Sequence, residues 1–346
     1  MALSDYHESS SDWRTQLKSN ERKTRWVIVL FIAIYVFVGL IVDSAMLLSR
    51  YPQASLSQVF MALITLQVTP IATLLMGAFA VISLLITYAM YDKIMLLGTD
   101  SREITPETAQ NLQEKQLYNV IEEMKVAAGL RFMPKVFIIN ANYMNAFASG
   151  YSEKSAMVAI TRGLMEKLDR AEMQAVMAHE LSHIRHKDIK LTLMVAVLSN
   201  ILLIVVDIMF YSLMFGRSDR RNNGNNNQLA LVIIVLRYVL PLLTMVLALF
   251  LSRTREFMAD SGSVELMRDN EPMARALLKI SQDNDNHAAE YQDEYGKTAH
   301  EELRQASYLL DPSTIDPIKS FNNLFSTHPD IDARLKALGF TRKNQD

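Results

Sequence analysis

The chain has 346 residues, 50% of them hydrophobic, with 20 methionines and a mean hydropathy of +0.09. A formal charge of −2 argues against a nucleic-acid partner. The absence of cysteine excludes disulfides and thiolate ligands, so any bound metal must be held by His, Asp or Glu.

Residues 1–25 form a polar segment that turns basic, with Arg14, Lys18, Arg22, Lys23 and Arg25, and residues 1–12 show no apolar period and read as loosely ordered. From Trp26 to Val42 the chain is uncharged, and its apolar character resumes after Asp43. This run is longer than a signal-peptide core and lacks a small-x-small cleavage site, so it reads as a first transmembrane helix. Tyr51 to Tyr91 is also free of charge. The part through Gln58 reads as interfacial. The simplest reading is one long second span ending near Tyr91, with a bend or change of tilt at Pro70, and a re-entrant pair is the alternative. One long second span makes residues 26–91 a two-helix membrane segment.

Residues 92–190 have soluble character. Thr105-Pro106-Glu107 resembles a helix start, and Leu112 to Ala128 carries apolar residues at helical spacing, with Gly129 to end it. Short strands are expected at Pro134–Ile139, Asn145–Gly150 and Ala156–Ile160. A short helix and then a long one, 171–190, follow. Residues 191–251 hold spans three and four around a polar, asparagine-rich hairpin at 216–228. Residues 252–346 are soluble again. They include helices at 256–268 and 272–280, a mobile acidic stretch at 281–295, and a loop running into a last helix after Pro329. His287 and His300 read as surface residues, and His186 as a basic anchor at the interface. The five basic residues before span one, with Lys187, Lys190, Arg253 and Arg255 beside spans three and four, place the N-terminus and both soluble halves in the cytoplasm.

The long helix contains His179-Glu180-Leu181-Ser182-His183. Residues four apart on a helix share a face, so both imidazoles can reach one ion, while Glu180 can meet a water beside it. A zinc site needs a third protein ligand. If span four continues as a helix through Arg253-Thr254-Arg255-Glu256-Phe257-Met258-Ala259-Asp260, then Glu256 and Asp260 share a face. Glu256 could then ligate, and Asp260 could accept a hydrogen bond from an imidazole or pair with an arginine. An edge strand at Asn145–Ser149 suits an extended substrate backbone, with the Asn145 side chain adding a hydrogen bond. His328 is a candidate for stabilising an oxyanion or for pairing with a nearby acid. In spans three and four, Asp207 lies nine residues before Gly216 and Arg237 nine after Gln228. Each is therefore about 13 Å in from the hairpin, a matched depth that favours an ion pair.

Four strings taken together resemble the HtpX-type membrane zinc metalloproteases, relatives of the CAAX prenyl proteases. They are His179–His183, Glu256–Asp260, Asn145-Ala146-Phe147-Ala148 and Ser326-Thr327-His328-Pro329, and they occur in the family's order around four spans. The resemblance implies a mainly α-helical integral membrane protein with four transmembrane helices and a zincin-like α+β peptidase domain. It implies one Zn²⁺ per chain on His179, His183 and Glu256, with Glu180 as the base and Asp260 as the supporting acid. It further implies hydrolysis of damaged or misfolded membrane proteins, or of unfolded polypeptides, at the bacterial inner membrane. Regulatory membrane proteins or self-association are further partners that this reading leaves open. The other readings are a CAAX-type prenyl-peptide protease and a non-catalytic membrane scaffold or chaperone. The asparagine-rich hairpin and the polar insertion at 281–320 depart from the family pattern.

Overall fold

The computed structural model describes residues 2–8, 12–95, 99–150, 152–215, 224–297 and 328–343. In chain order the elements are β1 (Tyr6–Glu8), α1 (Trp13–Arg50), α2 (Leu56–Ile64), α3 (Ile71–Met95), β2 (Ser101–Ile104) and α4 (Leu112–Ala127). Then come β3 (Lys135–Ile139), β4 (Ala146–Ser149), β5 (Met157–Thr161), α5 (Arg162–Lys167), α6 (Arg170–His186) and α7 (Asp188–Phe215). The series ends with α8 (Gly224–Met267), α9 (Glu271–Lys297), α10 (Ile331–Leu338) and β6 (Phe340–Arg342). The chain is mainly helical. Among the described residues, four helical stretches are long and apolar enough to cross a membrane: Trp13–Arg50, Ile71–Met90, Asp188–Phe215 and Gln228–Met267.

Two units divide the chain, one from Met1–Thr24, Tyr88–Leu191 and Leu251–Asp346, the other from Arg25–Thr87 and Thr192–Phe250. The first contains a four-stranded sheet in the order β2-β3-β5-β4, parallel only between β3 and β5. Alternation along the strands sorts its side chains. Val136, Ile138, Ala146, Ala148, Val158 and Ile160 join the main core with α4, α6 and α9. Phe137, Ile139, Phe147, Met157 and Ala159 face a second cluster with Tyr143 and Tyr291. Each large apolar side chain fully buried here contributes about 1.5–3 kcal/mol.

In the second unit, Tyr35, Val38, Met76, Ala80, Leu198, Leu202 and Leu240 pack together, while Leu75, Phe79, Leu85, Ile208 and Leu242 are exposed as a lipid-facing surface requires. Asp43 is buried within α1 and caps α3, its carboxylate accepting from the amides of Ala72 (2.7 Å) and Thr73 (3.0 Å) and from Thr73 Oγ1 (2.7 Å). Asp207 on α7 and Arg237 on α8 form an ion pair, with the guanidinium 5.6 Å from the Phe210 ring centroid.

Several expectations are corrected. The uncharged stretch 51–91 does hold one span-length helix, α3, but it is preceded by the separate short helix α2 and is not one continuous long helix. α2 is opened by a Ser55–Gln58 capping box, and a break follows in which Leu66 takes φ 56° and Pro70 precedes α3. Thr105–Ala109 forms a turn, and α4 begins at Leu112 behind Asn111, whose side chain accepts from the Glu114 amide. Residues 2–8 are ordered by partners far along the chain. Tyr6 is buried, its hydroxyl donates to Asp332 (2.9 Å), and β1 pairs with β6. The basic segment is helical from Trp13, where the Asp12 carboxylate accepts from the amide and hydroxyl of Thr15. The acidic stretch 281–295 is also helical on both sides of a kink at His287 (φ −117°, ψ 19°), because Tyr291 is buried on the sheet and Lys167 holds Asp283 at 2.7 Å. α8 starts at Gly224, inside the expected loop, with Gly and Asn residues at its N-terminus. Residues 216–223 of the hairpin, 298–320 of the insertion with His300, and 321–327 lie outside the described residues.

Candidate metal centre

α6 is fixed at its start by a capping box between Asp169 and Glu172 and carries its apolar residues into the main core. The site needs α8 close to it, and small residues allow this. Gly262 lies so near α6 that an added Cβ would fall 1.9 Å from Ser182 Oγ, and Ser263 Oγ donates to the Ala175 carbonyl at 2.8 Å. Glu256, Asp260 and Ser263 follow one another at helical spacing on α8, so the face that touches α6 carries both acids.

The structure brings His179, His183 and Glu256 together, with one ligand atom from each lying within 4.8 Å of the others. The two Nε2 atoms are 3.1 Å apart. Glu256 Oε1 is 3.5 Å from His183 Nε2, and Oε2 is 3.8 Å from His179 Nε2. His179 Nδ1 lies 3.0 Å from Asp260 Oδ1, and His183 Nδ1 lies 2.8 Å from Asp188 Oδ2. In the tautomer that places a proton on each Nδ1, beside its carboxylate, both Nε2 lone pairs converge on one small space beside a third carboxylate. A divalent cation relieves that convergence, so the donor set fits a metal, and two imidazoles with one carboxylate match zinc's preferences. Burial, with His179 beside it, pushes the His183 imidazole down to about 3, which keeps it neutral as a ligand must be. Burial opposes ionisation of Glu256, but His328 and Arg334 hold its carboxyl well below the usual range.

Glu180 is almost fully enclosed, and burial pushes its carboxyl up to about 7, with His179 working the other way and Glu256 adding to the rise. The Ala148 backbone on β4 also hydrogen-bonds it, so the edge strand runs beside the candidate base. Asn145 is buried just before that strand, and its Oδ1 accepts from the Ala146 amide at 2.9 Å. His328 Nδ1 sits 3.4 Å from Glu256 Oε2, so of its two expected roles the geometry displays the pairing with an acid. His186 is partly buried, against its reading as a basic anchor. Burial, with Arg255 nearby, lowers its basicity, and its Nδ1 lies 3.3 Å from Ser182 Oγ.

Three residues here escaped the sequence reading. Arg334 on α10 is fully buried and grips Asp260 through Nε (2.9 Å) and Nη2 (2.6 Å), while Nη1 lies 3.4 Å from Glu256 Oε2. Asp188 supports His183, and Arg255 pairs with Asp188. Charge balance was the available signal, because three carboxylates converging on two neutral imidazoles require cations nearby.

Residues 111–341 match the model of peptidase family M48. The chain is 41% identical to a Protease HtpX homolog of Helicobacter pylori over 322 residues, covering 93% of this chain and 96% of the relative. It is 32% identical to a Protease HtpX homolog of Thermoanaerobacter pseudethanolicus over 269 residues, covering 76% and 83%. The crystal structure of S. mikatae Ste24p aligns with a TM-score of 0.47 at 16% identity, covering 96% of this chain and 68% of that one. The match to the family model and to the HtpX homologs, with a metal-ready donor set and four span-length helices among the described residues, shows that the chain belongs to peptidase family M48 and is a membrane metalloprotease.

Proposed function

We propose that this metalloprotease is a zinc-dependent endopeptidase of the bacterial inner membrane that cleaves damaged or misassembled membrane proteins, with its N-terminus and peptidase unit facing the cytoplasm. The observation that carries the proposal is the enclosed carboxyl of Glu180 beside the convergent nitrogens of His179 and His183 and the edge strand β4. Zinc, when bound, supplies Lewis acidity to the scissile carbonyl and to water. Glu180 takes the proton from the attacking water and returns it to the leaving amine, a task suited to a carboxyl whose affinity for protons has been raised toward neutrality. The edge of β4 offers backbone groups to an extended substrate strand. Asp260 and Asp188 hold the two imidazoles in the tautomer that presents Nε2. The bacterial relatives and the apolar spans support the membrane setting, and the basic residues of the N-terminal segment support the cytoplasmic orientation.

The test is zinc analysis of the purified chain together with cleavage of a membrane-protein substrate, wild type beside Glu180→Gln. The variant is expected to retain zinc and lose cleavage, since a base and not a ligand is removed. Chelator-sensitive turnover above roughly a hundredth of the wild-type rate would count against Glu180 as the base.

A further inference from the structure

Each imidazole of the metal centre is backed by its own acid, and each acid by its own arginine. His179 leads to Asp260 and Arg334, and His183 leads to Asp188 and Arg255. We propose that Asp188 and Arg255 are positioning residues for the metal site, and that the left-handed turn at Lys187 exists to bring Asp188 back onto His183.

On an uninterrupted helix, residues five apart are separated by about 140° around the axis, so Asp188 could not meet His183. α6 ends at His186, however, and Lys187 adopts φ 58° and ψ 39°, a conformation unfavourable for a residue with a side chain. α7 starts immediately afterwards at Asp188. With the helical path broken at Lys187, Asp188 Oδ2 lies 2.8 Å from His183 Nδ1. Arg255 holds the turn from both sides, because its Nη2 donates to the His186 carbonyl at 3.3 Å and the same nitrogen pairs with Asp188. Asp188 and Arg255 are both buried. A buried arginine spent on the two flanks of an unfavourable turn fixes the carboxylate, the carboxylate fixes the imidazole, and the Nε2 atom is left aimed at the ion. Arg255 directly precedes Glu256 on α8, so the residue that clamps the His183 support also adjoins the carboxylate ligand candidate.

This inference rests on the reading of His179, His183 and Glu256 as metal ligands, and the experiment separates the two. Full-length protein in detergent is stripped with a chelator. Wild type, Asp188→Ala, Asp188→Asn, Arg255→Met and Arg255→Lys are then titrated with Zn²⁺ and Co²⁺ against a competing chelator. Readouts are the dissociation constants, the visible absorption bands of bound Co²⁺, and the melting temperature of the metal-free form. Asp188→Ala is expected to weaken zinc binding by about 10–100-fold and to shift the Co²⁺ bands. Asp188→Asn, which keeps an acceptor oxygen, falls between Asp188→Ala and wild type, and Arg255→Lys binds more tightly than Arg255→Met. Arg102→Ala, which breaks the ion pair of a half-exposed arginine with the buried Glu114 elsewhere in the unit, lowers the melting temperature and leaves the metal constants unchanged. If Asp188→Ala does not fold, Asp188→Asn decides. Wild-type zinc affinity and an unaltered Co²⁺ spectrum in either Asp188 variant overturn the inference alone, whereas a wild-type chain that takes up no metal overturns the ligand reading with it.

Discussion

Arg334→Met provides a strong test of how the centre is held together. The substitution removes the guanidinium and keeps much of the side-chain volume. It strands Asp260, which is 1% exposed, and takes a cation from 3.4 Å of Glu256. Removing one partner of a buried pair costs about 3–5 kcal/mol, because the other charge stays enclosed without compensation. The two-pronged grip on Asp260 and the nearby second acid place this site toward the upper end of that range. In a folded unit of about 200 residues each kcal/mol moves the melting temperature by about 2–4 °C, so the metal-free variant should melt about 6–20 °C below wild type. A companion variant, Arg334→Met with Asp260→Leu, removes the stranded charge as well and should recover at least half of the loss, even though His179 gives up its acceptor. The assay is thermal unfolding of detergent-solubilised, chelator-treated protein at one fixed scan rate, since unfolding of such chains is commonly irreversible. A single variant that melts within about 2 °C of wild type, or a double variant no more stable than the single one, would refute the reasoning.

The features that were legible in the sequence are those set by local periodicity. Val136/Ile138 and Val158/Ile160 alternate with Phe137/Ile139 and Met157/Ala159, and a period of two is enough to place β3 and β5 and to divide their faces between two clusters. His179 and His183, four apart in a stretch without Gly or Pro, could be put on one face, and the same reasoning linked Glu256 to Asp260 once α8 was taken to continue past the apolar run. What escaped depends on breaks in periodicity or on distant partners. Asp188 was invisible because helical spacing places it away from His183, and only the turn at Lys187 reverses that. β2 holds a single buried apolar residue, Ile104, so its pairing with β3 had no pattern to announce it. The break after α2 was hidden by composition, since a lipid-compatible stretch reads the same whether it forms one helix or two. α9 looked too polar to persist to Lys297, but Asp283 is neutralised by Lys167 and Tyr291 covers an apolar sheet face, and neither partner is near in sequence. Arg334 lies 74 positions from Asp260, a distance over which a charge requirement can be stated but its donor cannot be chosen.

Glu256→Ala should lose both metal and activity, whereas Asp260→Ala should weaken them by about 10–100-fold, and zinc analysis of purified Glu256→Ala at one ion per chain would sink the ligand assignment. Burial opposes ionisation of Glu114, but Arg102 at 2.6 Å and the Gln110 amide at 2.7 Å hold its carboxyl below its ordinary value. Its contribution is therefore full above the unfolded carboxyl's pKa and is lost as pH falls through the lower folded value. Arg102→Ala should cost about 1 kcal/mol near neutrality and progressively less in acid, and a difference in melting temperature that grows on acidification would contradict this sign. The final prediction concerns Asp207 and Arg237, whose side chains are 38% and 31% exposed and whose ion pair joins α7 to α8 within span-length apolar stretches. A lone charge at that depth is costly, so Asp207→Ala or Arg237→Ala should each lower the yield of folded, metal-loaded protein. The partner left behind accounts for most of either loss, and removing both charges should cost less than the two losses added. A double-mutant cycle in thermal stability should give a coupling above about 1 kcal/mol, and additivity within about 0.5 kcal/mol would show that each residue acts without the other.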